Sequence, residues 1–155
     1  MFEYTMEHIC SYNVELDPEM EVIGPTPEGL RVNIYILGGE ICGVRLQGKV
    51  KPVGADWLIV REDGVGVLNV RATLETQDEA LIYLDYQGVM EIGEDGYRRF
   101  MEGDLPPVMP IRAAPRFITA HPSYTWLNRL QCVNIGEARV SPGKVGVSYD
   151  VYALK

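Results

Sequence analysis

The stretch DWLIVREDGVGVLNVRATLETQDEALIYLDYQG, residues 56–88, contains three strand-like segments joined by two short turns. Each segment is rich in β-branched and aromatic residues, which favour strands. EDG at 62–64 and QDE at 77–79 provide turn-forming residues between the segments. The stretch therefore predicts two consecutive β-hairpins.

The lengths of the two turns predict how these strands pair. If both turns are three-residue loops, Trp57 lies opposite Asn69 and Arg71 lies opposite Asp85. Because side chains alternate along a strand, this register sorts them into two faces. The apolar face, which we expect to be buried, carries Leu58, Val60, Leu68, Val70, Ala72, Leu74, Ile82, Leu84 and Tyr86. The polar face carries Trp57, Arg61, Asn69, Arg71, Thr73, Tyr83 and Asp85.

Strand signals of the same kind recur along the rest of the chain. They lie at 30–37, 44–50, 111–120, 126–140 and 143–154. Short strands at regular spacing with tight turns are typical of an antiparallel barrel or sandwich. The sequence contains no internal repeat and no linker, so we expect a single all-β domain over residues 1–155.

One segment, residues 91–110, interrupts the strand pattern. Asp95 is placed to cap a short helix over 97–102, and Gly103 is placed to end it. The two prolines in LPP at 105–107 prevent the helix from continuing. The prediction is therefore one short helix within this insert.

Charge excludes two classes of partner. The chain carries 14 basic and 22 acidic residues, a net charge of −8, and its densest basic segment is YRRF at 97–100. Nucleic acids and anionic membranes are recognised by concentrated positive charge. We therefore expect no nucleic-acid partner and no membrane partner.

The sequence contains no cluster of metal-ligating residues and no cofactor-binding motif. Cys10, Cys42 and Cys132 are widely separated, and the two histidines, His8 and His121, are isolated. There is no phosphate-binding loop and no dinucleotide fingerprint, so we expect no metal site and no cofactor. The N-terminal residues have neither the basic region nor the apolar run of a secretory signal, which makes the cytoplasm the expected compartment.

Several motifs resemble those of a known family. They are GADW at 54–57, the two-hairpin segment at 61–88, YTWLN at 124–128 and YDVYAL at 149–154. In these segments the chain is similar to domain-of-unknown-function family 3237, also called uncharacterised protein family 0311. The resemblance implies a single antiparallel β-barrel and says little about chemistry. The chain departs from the family pattern at Val53 and Glu79, where glycine is common, and a positive φ at Glu79 would be strained.

Asp56 and Trp57 stand at the predicted start of the strand 56–61. We expect Asp56 to accept backbone N–H bonds and to fix the turn that leads into this strand. Trp57 opens the polar face, and Trp126 with Tyr124 could meet it at one mouth of the barrel. Such aromatic residues either plug a barrel end or form the wall of a site.

The polar face has two alternative placements. It is either the solvated outside of the sheet, with an Arg71–Asp85 ion pair, or the lining of the barrel lumen. In the second case it forms a ligand site. The predicted ligand-binding residues are Trp57, Asn69, Arg71, Tyr83, Tyr124, Trp126 and Asn128. Asp56 or Asp85 is then the candidate general base, and Tyr83 the candidate acid.

Two functions follow from these placements. The first is a barrel that binds a small aromatic or carboxylated metabolite, with metal-free isomerase, dehydratase or lyase chemistry as its enzymatic form. The alternative is a non-catalytic interaction or assembly protein that forms a homodimer or a larger homo-oligomer.

Overall fold

The computed structural model describes residues 1–155 and contains nine strands and two short helices. The strands are β1 (Met6–Leu16), β2 (Glu21–Thr26), β3 (Gly29–Cys42), β4 (Gly48–Val60), β5 (Val65–Thr76), β6 (Leu81–Glu91), β7 (Val108–Ile118), β8 (Cys132–Ser141) and β9 (Lys144–Leu154). The helices are α1 (Gly96–Glu102) and a 3₁₀ helix (Pro122–Arg129). Neither helix has the length and apolar character needed to cross a membrane.

The strands form a closed antiparallel barrel. From β3 to β9 each strand pairs with its neighbour in sequence. β1 pairs with β9 on one side and with the second half of β3, Ile36–Cys42, on the other. This last pairing closes a ring of eight strands, and β2 extends the sheet from the first half of β3. The predicted single antiparallel β-barrel is confirmed.

Both hairpin registers agree with the loop lengths. In the second hairpin Arg71 pairs with Asp85 and Glu75 pairs with Leu81. In the first, the pairs Ile59–Val67 and Asp56–Val70 are in the register that sets Trp57 opposite Asn69. The turn chemistry was therefore sufficient to predict the pairing.

The apolar face of the hairpins lines the interior of the barrel. All nine of its residues belong to a core cluster of 35 buried residues. The polar face lies on the outside, so the placement of that face in the lumen is wrong. An eight-stranded barrel has an interior just wide enough for side chains to fill, and it has no room for unpaired arginines.

β4 is one long strand where two were predicted. It runs from Gly48 to Val60, and its pairing with β5 shifts between Val50 and Gly54. This irregularity contains the sequence features that suggested a turn, and Gly54 adopts a positive φ of 98° within it. Asp56 consequently lies inside a strand rather than at its start.

The segment 126–131 is not a strand. Residues 126–129 belong to the 3₁₀ helix, which ends before β8 begins at Cys132. The ring Nδ1 of His121 accepts the Ser123 N–H at 3.3 Å, and Pro122 occupies the first helical position. These local start signals override the apolar character of the segment.

The helix predicted in the 91–110 insert is present as α1. Asp95 occupies its N-cap position, but the Asp95 carboxylate binds Arg98 at 2.8 Å and caps no backbone N–H. Gly103 ends the helix in the left-handed conformation with φ 70°. Phe100 and Ile92 are buried, so the insert packs onto the barrel core.

Glu79 adopts the positive φ expected of a glycine position, at 65°. We expect Glu79→Gly to raise the free energy of unfolding by about 0.5–1 kcal/mol, because glycine has no Cβ to strain in this conformation. Urea denaturation measures the change. Glu62→Gly, in the other hairpin turn where φ is not positive, should bring no gain. Equal effects of the two substitutions would contradict strain at Glu79.

Candidate functional site

The interior of the barrel contains a cavity. Its volume is about 20 Å³, and 12 of its 13 lining residues are hydrophobic. Asp56 is the one acidic residue among them, and Tyr12, Tyr86 and Tyr149 contribute to the wall. Space of this size admits a molecule of roughly the size of water without rearrangement. The interior is thus an apolar chamber with one ionisable carboxyl.

Asp56 is held by the neighbouring strand. Its Oδ1 accepts the backbone N–H of Asn69 at 2.9 Å, and its Oδ2 has no hydrogen-bond partner in the protein. The N–H donor lies on β5 and not in a turn, so the predicted turn-fixing role is wrong. Only 8% of the residue is exposed. The loss of hydration raises the pKa of its carboxyl to about 7, and the hydrogen bond from the Asn69 N–H lowers this pKa by a smaller amount. Asp56 can therefore hold or release a proton near neutral pH.

Three tyrosines from different strands line the same cavity as this carboxyl. Tyr86 Oη donates to Tyr149 Oη at 3.4 Å, and Asn134 Nδ2 donates to Tyr12 Oη at 2.6 Å. Burial is the main cause that raises the pKa of all three hydroxyls, and the Asp56 charge further raises those of Tyr86 and Tyr149. The tyrosines are consequently neutral O–H groups at physiological pH.

The sequence did not single out these tyrosines as site residues. Tyr86 appeared only as a member of the apolar face, and Tyr12 and Tyr149 lie in strands whose register was not predicted. The sequence signal for such a site residue was a tyrosine at an inward-facing position of an apolar strand. It becomes informative only when the strands that carry the phenols are known to be neighbours.

The predicted polar-face residues lie together on the outer wall. The Arg71 guanidinium lies over the Trp57 ring, 5.4 Å from its centroid. Asp85 has Arg116 as its ion-pair partner, with Nε–Oδ1 at 3.9 Å, so the expected Arg71–Asp85 ion pair is wrong. Tyr83 is also on this outer surface, with 42% of the residue exposed. The barrel wall separates Asp85 and Tyr83 from the interior carboxyl, and they cannot act with it there.

Tyr124, Trp126 and Asn128 lie in the 3₁₀ helix, where each makes a structural contact. Tyr124 Oη donates to Asp78 Oδ1 at 2.7 Å, which ties the helix to the β5–β6 turn. The Arg45 guanidinium lies 3.7 Å from the Trp126 ring centroid. The Asn128 amide binds both the N–H and the carbonyl of Thr119, each at 2.9 Å. These contacts are those of a plug at one end of the barrel.

Comparison with known proteins identifies the family. The sequence profile described as "Protein of unknown function (DUF3237)" matches residues 4–154. The chain belongs to the DUF3237 family. A relative named UPF0311 protein, from Rhodopseudomonas palustris, is 36% identical over 117 residues, which are 74% of this chain and 75% of the relative. The resemblance predicted from the motifs is confirmed.

Solved structures share the whole DUF3237 fold. A protein of unknown function from Clostridium acetobutylicum is 28% identical, with a TM-score of 0.86 and coverage of 100% of this chain and 99% of the other. A β-barrel-like protein from Acinetobacter baumannii is 31% identical, with a TM-score of 0.81 and coverage of 100% and 98%. The barrel described above is therefore the architecture of its relatives.

The residues that carry the DUF3237 resemblance differ in what they contact. Asp78 and Tyr124 bind each other, and Asn128 binds Thr119. Asp56, in contrast, lines the cavity, and one of its carboxyl oxygens has no hydrogen-bond partner in the protein. It is the motif residue whose surroundings are best suited to a ligand.

Proposed function

We propose that this DUF3237 protein binds a small, largely apolar and uncharged molecule inside the barrel. The observation that carries the proposal is Asp56: a buried carboxyl with one oxygen bonded to Asn69 and the other free, on an otherwise apolar wall. Apolar cavities with a few polar groups and a perturbed pKa are typical of ligand sites. The ligand's polar group would meet Asp56 Oδ2.

The lining also selects the charge of the ligand. The cavity wall contains no arginine, lysine or histidine, so a carboxylated ligand would face Asp56 with no counter-charge. The carboxylated class predicted from the sequence therefore does not suit the interior. Val147 is the one lining residue that is not fully buried, which makes it the natural point of entry.

Proton transfer is the chemistry that such a site supports. A carboxyl with a pKa of about 7 can take a proton from one atom of a ligand and return it to another. An O–H bond from Tyr149, whose hydroxyl accepts from Tyr86, would stabilise an oxygen that gains negative charge. Isomerisation of this kind consumes no co-reactant, and dehydratase or lyase action uses the same proton transfer. The three cysteines are all free, which suits the cytoplasm.

Binding of phenol and benzene tests the proposal, since the two differ by one hydroxyl. We expect phenol to bind about tenfold more tightly, because a hydrogen bond to a charged group contributes roughly 1.5 kcal/mol. NMR shifts of the Ala72 and Val147 methyl groups report on occupancy. The cavity must expand to hold either probe. Val147→Ala, which widens the entry, should therefore strengthen the binding of both phenol and benzene.

Asp56→Val is the matched variant for this experiment. It should abolish the preference for phenol and leave benzene binding in place. If neither probe moves the methyl signals of the wild type or of Val147→Ala, the interior is not a binding site. A phenol preference that survives Asp56→Val would show that the carboxyl is not the anchor.

Homodimer formation stays a second proposal. Apolar side chains are exposed on the outer surface of β2, β3 and β4, and such a surface is available to a second copy. These side chains are Val22, Ile23, Tyr35, Leu37 and Val53.

A further inference from the structure

The outer wall of the barrel has a groove distinct from the interior cavity. Its volume is about 430 Å³, within the range of small-ligand sites. Its polar lining residues are Asn69, Arg71, Asp85, Gln87, Arg116 and Gln131. The first five of these lie on β5, β6 and β7, and Gln131 comes from the connection that precedes β8.

Strand pairing explains the shape of this groove. Arg71, Asp85 and Arg116 are direct neighbours across the three strands and form one row. The adjacent row on the same face is Asn69, Gln87 and Ala114. Because Ala114 ends this row with a short side chain, it leaves a depression beside the charged row. The groove thus combines a guanidinium row with an amide row.

The charged row has an excess of positive charge. Its two guanidinium groups face one carboxylate, so the row carries a net charge of +1 in a protein whose net charge is −8. No carboxylate lies within 4.0 Å of Arg71, and Arg116 approaches Asp85 only to 3.9 Å. Stacking on Trp57 holds the Arg71 side chain in place while leaving its N–H groups free. The guanidinium groups are therefore available to an anion.

We propose that this groove binds a small monocarboxylate. The planar fork of an arginine matches a carboxylate in a bidentate arrangement. A single excess positive charge suits a monoanion, since a dianion would meet repulsion from Asp85. The amides of Asn69, Gln87 and Gln131 can bind further polar groups of the ligand. The groove shares only Tyr86 with the lining of the interior cavity, and the proposal does not depend on the function proposed for that cavity.

Titration with sodium benzoate, against uncharged benzamide, tests this site. We expect benzoate to shift the side-chain NH₂ signals of Asn69, Gln87 and Gln131 in NMR spectra. Arg71→Gln and Arg116→Gln should each weaken benzoate binding about tenfold, and benzamide should cause little change. Added salt should also weaken binding, because the groove is exposed.

Two controls separate this site from other anion binding. Arg139→Gln alters an exposed arginine that is paired with Glu137, and it should leave benzoate affinity unchanged within a factor of two. Asp56→Asn should also leave it unchanged, which excludes binding in the interior. Equal shifts with benzamide, an equal loss in Arg139→Gln, or tighter binding of inorganic phosphate would each overturn the proposal.

Discussion

Replacing Asp56 by asparagine should stabilise the protein, with the largest gain above pH 7. Burial raises the pKa of this carboxyl from 3.8 to about 7 in the folded state. At a pH between these two values, the Asp56 carboxyl is ionised in the unfolded chain and protonated in the folded chain. The folded state then binds more protons, so stability falls as the pH rises through this window.

The expected size of this effect follows from the pKa difference. A shift of roughly three pH units corresponds to about 4 kcal/mol of unfolding free energy, lost between about pH 4 and pH 7. Asparagine keeps an oxygen that can accept the Asn69 N–H and cannot ionise. The variant should therefore match the wild type near pH 3.5 and exceed it by up to this amount at pH 8.

Urea denaturation of both proteins at several pH values measures the effect. The quantity to compare is the difference between wild type and variant, because other carboxyls act in the opposite sense. Glu75 and Asp78 have a lowered pKa, and the stability that they contribute is lost as the pH falls. Leu81→Ala, which removes no ionisable group, serves as the control and should leave the slope between pH 4 and pH 7 unchanged. If the free energies of unfolding of the wild type and of Asp56→Asn change in parallel with pH, Asp56 is not a buried acid with a raised pKa.

Replacing Leu127 by alanine should lower the free energy of unfolding by about 3 kcal/mol. Leu127 is 1% exposed and is the buried residue of the 3₁₀ helix. The hydrogen bonds of Tyr124 and Asn128 fix this helix over the barrel end, so the structure cannot easily close the space left by the lost side chain. Thermal and urea denaturation both report the loss.

Leu81→Ala is the control for this substitution. Leu81 is 55% exposed at the start of β6, so its truncation should change stability by less than about 0.5 kcal/mol. A loss below about 1 kcal/mol for Leu127→Ala would show that the 3₁₀ helix is not a plug. The 126–129 motif would then need another explanation.

Features that depend on residues close in sequence were predictable from the sequence. The two hairpin registers depend on loop length, and the end of α1 depends on Gly103, where only a left-handed residue suits. The positive φ of Glu79 is likewise a property of its turn. In each case the residues that determine the feature lie within a few positions of it.

The candidate site was predicted only in part. Asp56 was named as a catalytic candidate, but its role was expected in a turn and its companions were expected on the polar face. The tyrosines that line the cavity with it, Tyr12, Tyr86 and Tyr149, come from β1, β6 and β9. No local pattern joins strands that far apart in sequence.

The sequence by itself determined the all-β class of the fold, the pairing of strands within the two hairpins, and the division of their side chains into an apolar and a polar face. Only the tertiary structure decided which barrel end is plugged, that Asp56 lies among buried tyrosines, and that Arg71 and Arg116 share an outer groove with Gln131. Alternation along a strand is a local property, whereas closure depends on the pairing of β1 with β3 and β9. Until that long-range pairing is known, the neighbours of an inward side chain on other strands are not defined.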